Sequence, residues 1–344
     1  MFNFSFKDKN LKIVQKFGIF ILISLIIIVA GAIDMFAIRG MNFGVEFSGG
    51  IRIDVTAKNA DGIEDKIETW LNDAGYVISG DVQTSGNDAE TLTFKVNSVL
   101  KDGTDLNTTV EGDTETLLVQ HSDKISGEGE YEGSLKAYLD GEYKEVEIEV
   151  VTQVIGNDVK NYTVKNAIIA VSVAVAVILV YIAIRFTVLA GVAAILALLH
   201  DVLIMFALTC LFQIPVNMVF IAAVITIIGY SINATIVVFD RVRELQVLPS
   251  NLDKGDKDIA NEAIASTMSR SILTTLTTLV MIVILAILGS NTIREFAYPI
   301  IFGLVAGAYS SVLLSASFWV GLRKIFGRAD KKPVKKVKRI KETV

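Results

Sequence analysis

The sequence is poor in the residues from which most catalytic and metal chemistry is built. One cysteine, two histidines, two tryptophans and four prolines occur in 344 residues. A lone Cys210 inside an apolar run excludes an intrachain disulfide and any cysteine-rich metal pattern. Two histidines argue against a catalytic zinc centre of the usual kind. No Ser/His/Asp grouping is evident, so neither an enzyme nor a cofactor is expected. The Gly-rich stretch 40–50 is not followed by the Lys-Ser/Thr of a phosphate loop, which excludes nucleotide binding there.

What the sequence does have is apolar length. Hydrophobic residues make up 52% of the chain and the mean hydropathy is +0.54, above the about 45–50% of soluble proteins. Crossing a bilayer takes about 20 apolar residues in a helix. Six segments qualify: 17–38, 166–185, 188–212, 218–239, 271–290 and 299–322. The first follows Lys7, Lys9, Lys12 and Lys16 but is too long for a signal-peptide core and lacks a small-residue cleavage site, so it reads as an uncleaved span. Lys and Arg cluster before span one, between spans two and three (Arg185), between spans four and five (Arg241, Arg243, Lys254, Lys257, Arg270) and after span six. The positive-inside rule then places both termini in the cytoplasm.

The expected architecture is an α-helical membrane protein with a six-span bundle and a small α+β extracytoplasmic domain between the first and second spans. Its parts are 1–39 (N-terminus and first span), 40–165 (outer domain), 166–322 (five spans, with a cytoplasmic loop at 240–270) and 323–344 (basic tail). Within the outer domain, Ile63, Ile67, Trp70 and Leu71 share one face of a helix over 61–76. IRIDVTA (51–57) and TLTFKV (91–96) alternate as strands do. Asp140-Gly141 between LKAYL and EYKEVEIEV predicts a hairpin. The stretch 99–133 is polar and weakly patterned, as an irregular insertion would be. In the loop 251–270, Ile259, Ala263, Ile264 and Met268 fit either an amphipathic interfacial helix or the solvated start of span five. Gly303 and Gly307 form a GxxxG pair suited to close helix approach.

Three segments resemble the SecD/SecF family of protein-export membrane proteins. GMNFGVEFSGG (40–50) is similar to the signature G-x-D-F-x-G-G, with Gly44, Phe47, Gly49 and Gly50 in register and Glu46 where the family usually has Asp. His200-Asp201 matches the family's HD pair in span three. IGYSINATIVVFDRVRE (228–244) looks like the span-four motif of the SecF branch, through Gly229, Tyr230, Ser231, Asn233, Thr235, Asp240, Arg241 and Arg243. The resemblance implies half of a transporter of the resistance-nodulation-division type. It implies pairing with SecD, association with the SecYEG channel and with YajC- or YidC-type insertion factors, contact with translocating preprotein, and use of the proton-motive force in late translocation. Membrane lipid is a further expected contact and nucleic acid is not. The basic tail (Arg323 to Lys341) is what topology alone would produce.

The candidate proton-relay residues are Asp201, His200, Arg270 and Asp240. Ionisable groups inside a bilayer cost about 2.5–3.5 kcal/mol each on insertion scales and are functional candidates by default. Asp201 stands near the middle of span three, where it could exchange a proton or simply cross-link helices. Asp240, Arg241 and Arg243 are explained by interfacial anchoring as well as by function. Arg270 precedes Thr274, Thr275, Thr277 and Thr278, similar to the family's R-(T/S)-(L/I)-x-T region. The residue after Asn233, implied by the resemblance to be a proton-carrying Asp, is Ala234. Alanine binds no proton. Either the proton path uses other groups such as Asp201 or the partner SecD, or a neutralising substitution has been made, or the subunit is mainly a scaffold.

Overall fold

The computed structural model describes residues 12–58, 62–79, 82–85, 90–108, 116–128, 133–144, 146–251 and 253–326. The basic tail expected after span six falls beyond them except for Arg323 and Lys324. Within them, six helical stretches are long and apolar enough to cross a membrane: Val14–Ile38, Asn157–Arg185, Val188–Leu211, Met218–Val247, Asp256–Leu288 and Asn291–Phe326. In lipid a backbone must satisfy its own hydrogen bonds, which is why these apolar runs are helical. The chain is a multi-pass membrane protein.

The first span is α1 (Phe17–Ile33), closed by a π turn (Asp34–Ile38). A short helix, α2 (Val45–Ser48), leads into β1 (Gly50–Ala57), followed by α3 (Ile63–Asp73), β2 (Gln83–Ser85), β3 (Glu90–Val96), α4 (Leu117–Ser126), α5 (Leu135–Glu142) and β4 (Ile148–Ile155). The remaining spans are α6 (Asn157–Arg185), α7 (Val188–Leu211), α8 (Met218–Val247) and α9 (Asp256–Leu288). The last span joins α10 (Asn291–Tyr309) to α11 (Ser315–Phe326) through a second π turn (Ser310–Leu314).

The strands form one antiparallel sheet in the order β2-β3-β1-β4. Alternation along β1 sends Ile51, Ile53, Val55 and Ala57 to the same core as Leu92, Phe94 and Val96 of β3. Ile63, Ile67 and Leu71 of α3 close that core, as their helical spacing predicts. Each such fully buried Ile or Leu contributes about 1.5–3 kcal/mol. The central pair β1/β4 is also the pair continuous with the membrane: β1 follows span one, and β4 runs through Gly156 into α6.

Two sequence expectations for this layer are corrected. No hairpin turns at Asp140-Gly141, because that dipeptide lies inside α5 and Gly141 is not among the positive-φ glycines a tight hairpin turn would need. Ser134 caps the helix, its Oγ accepting from the Ala137 amide at 3.1 Å. Leu135 and Leu139, one turn apart, then reach the core. A capped helix that buries two leucines wins over a local turn preference. The stretch 99–133 is likewise not irregular throughout. It contains α4, whose Leu118 and Ile125 are fully buried. The rest of it includes residues outside those described.

In the bundle, α7, α8 and α10 are the buried helices, while α6, α9 and α1 expose most of their apolar surface. The segment 251–270 is largely the beginning of α9, continuous with the span. Its Ile259, Ala263, Ile264 and Met268 pack with Val238, Val242 and Trp319. The GxxxG pair does bring helices close. A Cβ on Gly303 would stand 2.5 Å from Ile227 Cγ1, and one on Gly307 would stand 3.4 Å from Ser231 Cβ, so α10 seats directly on α8.

Candidate functional site

Four elements converge on Asp201. It lies on α7 and is fully buried. Oδ1 meets Nδ1 of His200 at 2.9 Å, while Oδ2 accepts from Ser231 Oγ on α8 and from Ser310 Oγ at 2.8 Å. Ser310 begins the π turn of the last span, and single π turns inside α-helices are frequent at functional sites. On the other side, His200 Nε2 meets Ser24 Oγ of α1 at 2.7 Å. Tyr309 stacks on the imidazole at a ring separation of 6.1 Å, and its hydroxyl donates to Phe20 O at 2.8 Å. The result is a continuous polar chain, Ser24–His200–Asp201–Ser231/Ser310, inside an apolar bundle.

Counting protons shows what this chain can do. If the Ser24 hydroxyl donates to Phe20 O (3.2 Å), Nε2 of His200 must carry a proton of its own. The proton between Nδ1 and Oδ1 then sits on either atom, giving imidazolium with carboxylate or imidazole with carboxylic acid. If the Ser24 hydroxyl rotates toward Nε2, the same pair is satisfied with one proton fewer. Two hydrogen-bond arrangements that differ by one proton and by the Ser24 rotamer thus satisfy every buried partner in the network.

The span-four motif divides between two places. Ser231 points to Asp201, whereas Ala234 and Asn233 line a separate cavity of about 80 Å³ with Tyr230, Val237, Arg270, Ser271, Thr274 and Thr275. Tyr230 OH donates to Thr275 Oγ1 at 3.3 Å across it. The structure thus places Ala234 and Arg270 on one cavity, which Asp201 does not line. Thr235 is buried, and Gly229 lies on the exposed side of α8. Asp240 belongs to neither place. Both its carboxylate oxygens accept from Arg185 at 2.8 Å, tying the ends of α6 and α8. Arg241 reaches Ser266 and Glu244. Arg243 lines a surface cleft beside Phe239 and Trp319.

The Gly-rich segment builds the junction between sheet and bundle. Gly44 N donates to Val216 O at 2.9 Å, and Val216 N to Asn42 O at 2.8 Å, so the chain leaving span one pairs with the residues just before α8. A Cβ on Gly44 would strike Asn217. Phe47 packs against the bundle core, and Glu46 sits in the first turn of α2.

Residues 134–325 match the family described as "Protein export membrane protein SecD/SecF, C-terminal", and residues 35–61 match the SecD/SecF GG motif. The protein translocase subunit SecF of Petrotoga mobilis is 31% identical over 92% of this chain and 97% of its own. That of Calditerrivibrio nitroreducens is 32% identical over 89% and 91%. The chain belongs to the SecD/SecF family, in its SecF branch. Among solved structures, SecDF from Thermus, a translocon-associated membrane protein, superposes with a TM-score of 0.71 at 26% identity over 92% of this chain. The chain spans 39% of that longer SecDF chain. Family membership makes its role one in protein export, a transport role rather than a catalytic one.

One polar cluster of this SecF-branch chain escaped the sequence reading. Lys95 of β3 is buried and donates to Asn42 Oδ1 at 2.5 Å and to Phe43 O at 3.2 Å. Next to it, Glu295 of α10 accepts from Asn217 Nδ2 at 2.5 Å and faces Arg52 of β1 at 3.9 Å. The signal lay in the strand pattern: Thr93 and Lys95 occupy the supposedly solvated face of β3, and the bundle covers that face. Burial pulls the Lys95 ammonium down to about 8, against the opposing pull of Glu295. Between that value and its ordinary 10.5 the unfolded chain binds the extra proton, so stability gains with rising pH. The stability difference between the unmodified chain and Lys95→Met should therefore move in favour of the lysine form from pH 7 to pH 10, by up to about 3 kcal/mol. Paired thermal unfolding across that range measures it. A difference independent of pH would refute the assignment.

Proposed function

We propose that this chain is the SecF half of a proton-driven export pump. It pairs with SecD, associates with the SecYEG channel, and uses the proton-motive force to promote late steps of preprotein translocation. It lies in the bacterial cytoplasmic membrane with both termini inside, and 40–165 is the outer domain that meets emerging polypeptide. The observation that carries this reading is the buried hydrogen-bonded pair His200–Asp201, which links α1, α7, α8 and the last span. Fit to only part of a longer SecDF chain supports the pairing with a second module. The clustering of Arg185, Arg241, Arg243 and Lys254 at one end of the bundle supports the orientation. YajC- or YidC-type factors and lipid remain in the proposal as outer contacts.

Ala234 favours a second reading, a scaffold of the translocon that does not itself conduct protons. Gradient-dependent export and proton flux in inverted membrane vesicles separate the two, comparing the unmodified chain with Ala234→Asp. Gradient-dependent export with Ala234 in place sustains the pump. Proton flux that appears only after Ala234→Asp establishes the scaffold for the unmodified chain.

A further inference from the structure

The cavity beside Ala234 has a property that neither reading uses. Arg270, itself exposed, lies partway along α9 beside Ile272 and Leu273, which are exposed on the apolar outside of the span. Among the described residues it forms no ion pair, whereas its neighbours Arg185 and Arg241 are each matched to a carboxylate. A guanidinium is always charged, and in an apolar setting it needs a counter-charge. A second, independent feature of the same cavity is Ser271. It is 6% exposed, and its Oγ has no hydrogen-bond partner. A buried hydroxyl left without a partner costs about 1–3 kcal/mol. Asn233 adds an amide donor. Thr275 accepts from Tyr230, which leaves its own hydroxyl proton free to turn inward.

Each of these groups can donate a hydrogen bond, Arg270 is the one cation among them, and no carboxylate lines the space. At about 80 Å³ it is several times larger than one water needs. Its walls hold the Ala234 methyl where a longer side chain would fill it. We infer that this cavity is a binding site for one small monovalent anion, of chloride or formate size, held by Arg270 with Ser271, Asn233 and Thr275. The anion supplies the negative charge that the chain's own residue 234 does not. The inference stands apart from proton pumping and holds equally for a scaffold.

The test uses the purified full-length chain in detergent at constant ionic strength, replacing sodium gluconate stepwise by sodium chloride or sodium formate. Binding to the folded chain alone raises the Tm with the logarithm of anion concentration above Kd, by about 1–2 °C for each kcal/mol of linkage. Chloride-35 NMR on the unmodified protein should show line broadening that formate competes away. Both effects should be lost in Arg270→Gln, and also in Ala234→Asp, whose carboxylate would take the same place. Ser271→Ala should weaken binding several-fold and serves if either of the first two variants fails to fold. Absence of saturable broadening in the unmodified chain would overturn the inference. So would a chloride response that persists undiminished in Arg270→Gln or Ala234→Asp.

Discussion

Asp201→Ala is expected to destabilise the bundle by about 2–5 kcal/mol, while Asp201→Asn should lie within about 1 kcal/mol of the unmodified chain. The difference follows from the hydrogen-bond inventory. Alanine leaves Nδ1 of His200 and two buried serine hydroxyls without their common acceptor, and adds a void at a fully buried position. Asparagine can offer its carbonyl oxygen to Ser231 and Ser310 and its amide N–H to Nδ1 of a neutral His200 that still donates through Nε2 to Ser24. Every partner is kept, but an amide cannot take up or release a proton as a carboxylate can. Thermal unfolding measures the first effect and gradient-driven export the second. On the pump reading, Asp201→Asn folds normally and loses gradient-dependent export. Export that stays fully coupled in Asp201→Asn would remove Asp201 from the proton path and leave it a helix cross-link.

Gly50→Ala should be at least as damaging, at about 3–5 kcal/mol, although it adds a single methyl to the start of a strand. Gly50 holds φ +115°, which an L side chain rarely adopts, and its Cβ would lie 2.1 Å from Val96 O. That oxygen belongs to the backbone of β3, paired to β1 in the register Ile51↔Val96, so nothing flexible can give way. The neighbouring Gly49→Ala is the internal control. At φ +77° it is strained too, but the nearest atom is Lys160 Cδ at 3.4 Å, the stem of a movable side chain. Its cost should be about 1 kcal/mol. The expected readout is a large fall in Tm and faster proteolysis of the sheet layer for Gly50→Ala only. Equal losses in the two variants would contradict the account. The paired glycines of the family motif thus have unequal duties: one permits a turn, and the other permits two backbones to touch.

Much of the architecture was legible before any coordinates. Apolar runs of bilayer length must become helices, because lipid offers the backbone no other partner. The alternation of 51–57 and 91–96 and the helical spacing of Ile63, Ile67 and Leu71 are local codes, read over two to four residues at a time. Where two local codes competed, at 134–142, the sequence alone misled. The turn preference of Asp-Gly was visible, but the burial of Leu135 and Leu139 depended on a core assembled from distant strands.

The candidate site was half legible for the same reason. His200, Asp201 and Arg270 could be picked out from their polarity or charge within or beside an apolar segment, and Ala234 only through the family resemblance, which implies an Asp there. That Asp201 gathers Ser24, Ser231 and Ser310, that Asp240 turns away to Arg185, and that Lys95 lies buried against the bundle were decisions of packing alone. The meeting of Ser231 and Ser310 at Asp201 goes with the close approach of α10 to α8 at Gly303 and Gly307 and with the π turn that begins at Ser310. The sequence by itself determined which segments cross the membrane and which chemistry is available there. Only the tertiary structure decided which of those groups meet, because contacts among residues 24, 201, 231 and 310 are set by helix geometry and carry no local periodic signature.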